Sequence, residues 1–274
     1  MERSEELEDL GADIAGQEWY HTLELSPGMV TPGWFDTRAV LAKLPIPASL
    51  DGMRCLDIGT FDGFWAFEME RRGASAVLAI DVIDPRGWDW PPVSPPEAVE
   101  ALAARKRGGA GFHLAHKALG SEVQHRELSV YELDPGEVGE FDFIYLGSLL
   151  VHLRDPVSAL ERVRAVCRGE VLVVDNYEPL LSALSPWWPL VRLDGRGRHW
   201  WWESNIACVR RMIESAGFDL TMAPKRLRMP AGKGQPGPPL RWRTLRERED
   251  RRKVSKARLG DPHVAILARP RVGT

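Results

Sequence analysis

A chain of 274 residues with 44% hydrophobic content is long enough to enclose one sizeable core, and a single α/β unit with elaborations is the expectation. Its formal net charge of −3 excludes a uniformly basic polyanion binder and leaves room only for local basic patches. Three widely spaced cysteines without a CxxC pair, Cys55, Cys167 and Cys208, argue against a disulfide scaffold and point to a reduced, cytoplasmic setting. The start is acidic rather than leader-like, and no stretch approaches the roughly 20 apolar residues needed to cross a bilayer, so a soluble, unprocessed chain with no membrane partner is expected.

Residues 1 to 45 form an N-terminal segment with a helical acidic start, followed by Trp19-Tyr20-His21 and Thr31-Pro32-Gly33-Trp34, and are expected to act as a lid. The main domain then runs from 46 to 274. An apolar run, Arg54 to Ile58, ends in a Gly-rich turn and leads into a helical pattern from Phe64 to Arg72. Val77 to Ile80 is a second strand closed by Asp81, and the turn-rich stretch Pro85 to Pro96 interrupts regular structure. Helices follow at Glu97 to Lys106 and Phe112 to Leu119. Strands are expected at Val123 to Val130, Phe141 to Leu146, Val171 to Val174, Phe218 to Leu227 and His263 to Ala268, and helices at Pro156 to Val166 and Ile206 to Ala216, the latter closed by Gly217. Strands alternating with helices predict a mainly parallel, doubly wound α/β sheet covered on both faces. A Pro/Gly segment and a basic stretch, about 230 to 260, lie outside this rhythm as an insertion, and no internal repeat is present.

In an open α/β sheet a ligand sits beyond the carboxyl ends of the strands, where the first strand meets its helix. Asp57-Ile58-Gly59-Thr60-Phe61-Asp62-Gly63 occupies that place, and Gly59 and Gly63 let a ligand approach the backbone. Charge chooses the ligand. A dinucleotide would bring an anionic pyrophosphate against Asp57 and Asp62, whereas S-adenosyl-L-methionine brings a cationic α-ammonium and sulfonium and no phosphate. Asp81, 18 positions after Gly63, ends the second strand where a carboxylate can accept hydrogen bonds from both ribose hydroxyls. Ser129 and Val130 are placed to edge the adenine, and Gly147 to let the methionyl part of the cofactor pass close to the backbone.

Three stretches resemble successive motifs of class I S-adenosylmethionine-dependent methyltransferases: Arg54 to Gly63, Ala79-Ile80-Asp81, and Phe141 to Pro156, reading FDFIYLGSLLVHLRDP. The N-terminal motif pair, together with Trp200-Trp201-Trp202-Glu203-Ser204-Asn205, is similar to the branch containing the tRNA wobble-uridine carboxymethyl-transferring enzymes. The resemblance implies a Rossmann-like seven-stranded sheet whose last strand is antiparallel. This chain departs from the tRNA enzymes in having a shorter N-terminal part and no Lys or Arg within Thr31 to Asp36, where a carboxylated cofactor would be recognised. Ordinary S-adenosylmethionine is the expected donor.

Methyl transfer to a hydroxyl benefits from a general base, and His21 and His152 are the candidates. A histidine in the turn after the fourth strand serves as often as a structural hydrogen-bonder. Neither a metal nor a covalent nucleophile is required. Of the eleven tryptophans, Trp19, Trp34, Trp187, Trp188 and Trp200 to Trp202 are near the expected site, and Trp19, Trp34 and Trp201, with Asn176 and Asn205, are candidate contacts to the acceptor. The alternative for the tryptophans is core packing, and for Asn176 a strand terminus capped by polar residues. Arg241 to Arg258 carries nine Lys or Arg against three acids, and is read as a solvated helix face in preference to a nucleic-acid arm. A small-molecule acceptor, aromatic or glycosylated and methylated at O or N, is the first expectation. A tRNA wobble-uridine methyltransferase and a noncatalytic cofactor-binding protein are the alternatives.

Overall fold

The computed structural model describes residues 2–195, 198–235 and 248–273, with side chains described from residue 8 in the first helix and from residue 254 in the last. Eight strand pieces build the main sheet: β1 (Arg54–Ile58), β2 (Ala76–Asp81), β3 (Gln124–Glu127), β4 (Phe141–Gly147), β5 (Cys167–Asn176), β6 (Phe218–Leu220), β7 (Lys225–Met229) and β8 (Asp261–Pro270). Their order is β6-β8-β5-β4-β1-β2-β3, with β7 also on β8. Strands β1 to β5 run parallel, whereas β8 is antiparallel to β5, β6 and β7.

The expected strand Phe218 to Leu227 is therefore two pieces on one edge of β8. Leu220 pairs with Ala268 and Lys225 with Ala265, so the five-residue step between them on the edge spans only three positions of β8. The excess is accommodated by the break at 221–224. The third strand is also shorter than expected, because Ser129 leaves it to cap a helical turn, Val130–Glu132, by accepting from the Tyr131 N–H.

Alternation along each strand sends side chains to two cores. Cys55, Phe143, Tyr145, Leu172 and Val174 face one side, and Leu56, Ile58, Ile144, Leu146, Val171 and Val173 the other. The second face is covered by helices Pro156–Val166 and Ile206–Ser215. The first helix starts with Asp155 accepting from the Ser158 N–H and with Pro156 in its first turn. The first face is covered by the helices Phe64–Arg71 and Ala110–Leu119 and by the N-terminal segment. Trp19, Leu23, Leu25, Phe35 and Val40 share one core with sheet residues, so this part of the N-terminal segment is packed against that face. Within them Trp19–His21 pairs in parallel with Gly33–Phe35.

The helix Arg248–Leu259 lies between β7 and β8 in the chain. Arg241 to Glu247, the first half of the basic stretch, lies outside the described residues.

Candidate active site

Because β1 and β4 are neighbours and the chain leaves them in opposite directions across the sheet, their carboxyl ends open a crevice. A cavity of about 530 Å³ fills it. Nine of the expected site residues line it: His21, Trp34, Asp57, Gly59, Asp81, Ser129, Val130, Gly147 and His152.

Asp57 ends β1, is 1% exposed, and accepts from the Thr60 hydroxyl at 2.6 Å. Burial raises its pKa to about 7. The following loop is held against β2, since the N–H groups of Gly59 and Thr60 both donate to the Ile80 carbonyl. The turn needs positive φ at Gly59 (75°), Phe61 (52°) and Gly63 (89°). At Gly63 a Cβ would also lie 2.3 Å from the Phe67 ring, so glycine serves the chain's own packing there. Asp81 Oδ2 accepts from the Phe61 N–H at 3.0 Å and from Lys106 Nζ at 2.6 Å. Burial raises the Asp81 pKa and the Lys106 ammonium opposes this. Lys106, itself 4% exposed, also donates to the Val82 carbonyl and lies over the Phe61 and Trp88 rings.

Asp62 does not line the cavity. It turns to the N-terminal segment, accepting from the backbone N–H groups of Tyr20 (2.8 Å) and His21 (2.7 Å) and from His21 Nδ1. The carboxylate placed in the cofactor loop by sequence is thus a clasp for the segment that carries His21. His21 itself stacks on Phe64 and faces the cavity. With Nδ1 committed to Asp62, its lone pair is left at Nε2. His152 lines the opposite part of the cavity, is bonded through Nδ1 to the His199 carbonyl at 2.7 Å and stacks on the His199 ring. Burial depresses the His152 pKa to about 4.

The acceptor candidates divide. Trp34 is on the cavity wall beside Tyr20 and Phe61. Trp19 is 1% exposed and in the core, its indole N–H donating to the Ile14 carbonyl. Trp201 is off the cavity, donating to the Asp89 carbonyl and so fixing the rim residue that also receives Tyr131 and Arg154. Asn205 has no bonding capacity left for a ligand: Oδ1 accepts from Leu190 and Cys208, and Nδ2 donates to the Ser185 and Trp188 carbonyls. Asn176 donates to Asp261 and lines a second, smaller cavity with Trp200 and Trp202. Trp187 and Trp188 are 85% and 76% exposed, away from both cavities.

Residues 34–222 match the model of a family described as a methyltransferase domain. The chain belongs to that family. It is 28% identical over 180 residues to a tRNA U34 carboxymethyltransferase of Alcanivorax borkumensis, covering 64% of this chain and 47% of that protein. It is 25% identical over 159 residues to a ubiquinone biosynthesis O-methyltransferase of Acinetobacter baumannii, covering 57% and 54%. The chain therefore spans about half the length of the curated relatives it matches. Among solved structures, the N-terminal domain of EvdMO1, crystallised in the presence of SAH and D-fucose, superimposes with a TM-score of 0.53 at 15% identity over 99% of this chain and 98% of that one. That likeness shows the fold.

Sequence reasoning missed Tyr20, Lys106, Ser148 and His263. Tyr20 stood between two named residues. Ser148 follows Gly147, and its φ of 51° is a local peculiarity that no residue type announces. His263 opens the last strand of the chain, and only the antiparallel insertion of β8 beside β5 carries it to the carboxyl ends, where it faces Asn176. Lys106 closes a helix whose direction decides that it meets Asp81.

Proposed function

We propose that this methyltransferase uses S-adenosylmethionine to methylate a hydroxyl or amine of a small molecule. The single observation that carries the reading is one continuous cavity running from the buried carboxylates Asp57 and Asp81 to the aromatic wall of Tyr20, His21 and Trp34. The cofactor fits the first end on charge. Burial raises the pKa of Asp57, and an α-ammonium beside it would favour the ionised carboxylate. Asp81 would take the ribose, Ser129 and Val130 the adenine edge, and Gly59 and Gly147 the close approaches to backbone. When bound, the sulfonium supplies an activated methyl carbon. The chain then has to orient an acceptor, exclude water and accept a proton. His21, held by Asp62 through Nδ1, supports the proton-accepting role, and the burial that lowers the His152 pKa to about 4 counts against His152 in it.

The cavity's size and aromatic lining suit a metabolite. Among the described residues the one Lys or Arg on its wall, Arg154, is paired with Asp89, and Lys106 beside it is buried against Asp81, which gives a phosphate backbone little to hold there. Incubation with methyl-labelled cofactor and cell extract, split into RNA and small metabolites, tests this. Label in the small-metabolite fraction is expected, and label confined to tRNA would replace the proposal with the wobble-uridine reading. SAH binding without transfer to either fraction would favour a noncatalytic role.

A further inference from the structure

Between β5 and the helix Ile206–Ser215 the chain turns apolar side chains outward. Leu180 and Leu184, one turn apart on the helix Pro179–Leu184, Trp187 and Trp188 in the loop after it, and Val191 and Leu193 in the strand Val191–Leu193 are between 45% and 85% exposed. One side chain gathers them. Asn205 donates to the Ser185 and Trp188 carbonyls and accepts from the Leu190 N–H, so the end of the helix, the loop and the start of the strand meet there. With an indole offering up to about 250 Å², these residues together expose roughly 800 Å². The largest apolar patch of a typical monomer is about 300–600 Å². Each side of a stable protein interface buries about 800 Å².

The strand Val191–Leu193 is also an open edge. Among the described residues it pairs with Trp202–Ser204 alone, antiparallel. Leu190 accepts from the Asn205 N–H and Asp194 donates to the Trp201 carbonyl, which fixes the phase of the ladder. Leu190, Arg192 and Asp194 turn their backbone groups to the neighbouring strand, and Val191 and Leu193 turn theirs away. The outward N–H and carbonyl groups of Val191 and Leu193 form a template for another strand.

We propose that this surface is a two-fold interface with a second copy of the same chain, in which the two Val191–Leu193 strands pair antiparallel and join their hairpins into a single sheet. The register that sets Val191 against Leu193 of the second copy gives every outward N–H a carbonyl, and the leucines and indoles supply the buried area. Arg192 then lies opposite its own copy at the axis, where its pairing with Glu203 keeps the two like charges from standing bare. A second copy suits the surface better than a lipid layer does. Residues 178–205 hold three acids and three arginines, so no cationic surplus beside the indoles draws an anionic bilayer, and lipid offers no strand to the open edge. The strand Trp202–Ser204 follows shortly after His199 on the cavity wall, so the interface braces a hairpin that borders the active site.

Sedimentation velocity of the full chain between about 1 and 100 µM tests this. A species of twice the chain mass is expected by about 10 µM. The double variant Trp187→Ser/Trp188→Ser removes apolar area, and Leu193→Pro removes an outward N–H while sparing the ladder to Trp202–Ser204. Each is expected to weaken dimerisation at least tenfold with the parent's circular dichroism spectrum retained. A monomer throughout the range, or a dimer that either folded variant leaves intact, overturns the proposal. Co-sedimentation of a monomeric chain with vesicles of phosphatidylcholine and phosphatidylglycerol overturns it in favour of a lipid surface.

Discussion

Asp57 and Asp81 show how little a carboxylate's identity says until its surroundings are known. Both are buried, but Asp81 has Lys106 and the Phe61 N–H on one oxygen, whereas Asp57 has only a hydroxyl at hydrogen-bond distance among the charged and polar side chains described around it. Asp57 therefore titrates near pH 7. In the free protein it is ionised above that pH, and a cationic ligand binds the ionised form. Affinity for SAH, whose α-ammonium is retained, is thus expected to weaken as pH falls below about 7, by up to about tenfold per unit, because protonation must be reversed on binding. Calorimetry from pH 5 to 8 would show this, and Asp57→Asn should give weaker, pH-flat binding. For Asp81→Asn, loss of a charge-assisted hydrogen bond and of the partner of Lys106 is expected to cost on the order of 2 kcal/mol in SAH binding, about thirtyfold. An unchanged affinity would remove Asp81 from the ribose role.

At the scale of elements, the loop between β1 and the helix Phe64–Arg71 carries two kinds of glycine. Gly59 borders the cavity, while Gly63 is closed in by Phe67 and Phe112 and has a φ of 89°. Gly63→Ala is expected to destabilise the fold by roughly 2 kcal/mol through overpacking and strain, read as a lowered thermal midpoint. Asn205 is a comparable structural joint, capping the helix Ile206–Ser215 and gathering the loop that carries Trp187 and Trp188. Asn205→Ala is expected to cost about 2 kcal/mol in stability, through the lost cap and the unpaired Leu190 N–H, with SAH affinity within twofold of the parent. A selective loss of methyl transfer at unchanged stability would return Asn205 to the acceptor site. The capping role was open to the sequence, where Asn precedes an apolar helical pattern. Its bonds to Ser185 and Trp188 were not, because they depend on a loop folding back.

For the whole molecule, a net charge of −3 and the pairing of Arg154 on the cavity wall with Asp89 predict that tRNA binding, measured at 50 mM salt, is no tighter than nonspecific and vanishes with rising salt. Tight binding that persists at 200 mM salt would favour the nucleic-acid reading. Among the described residues no helix is long and apolar enough to cross a membrane.

The sheet and the donor end of the cavity were legible in the residues because both are written in local pattern. Apolar runs bounded by turns mark β1, β2, β4 and β5, and the residues at their carboxyl ends, Asp57, Gly59, Asp81 and Gly147, must lie at the crevice in any doubly wound sheet. Where a side chain turns after its strand ends is a different matter. Asp62 left the loop for His21, and Trp19 went to the core, because packing of the N-terminal segment against the first face decides them. Tyr20, Ser148 and His263 line one cavity although they are separated by more than a hundred residues at each step, and no periodicity couples such positions. The antiparallel insertion of β8 brings them together. The sequence by itself determined the sheet and the carboxylates at the carboxyl ends of its strands, since both follow from short-range order. The tertiary structure alone decided which polar groups share the cavity with them.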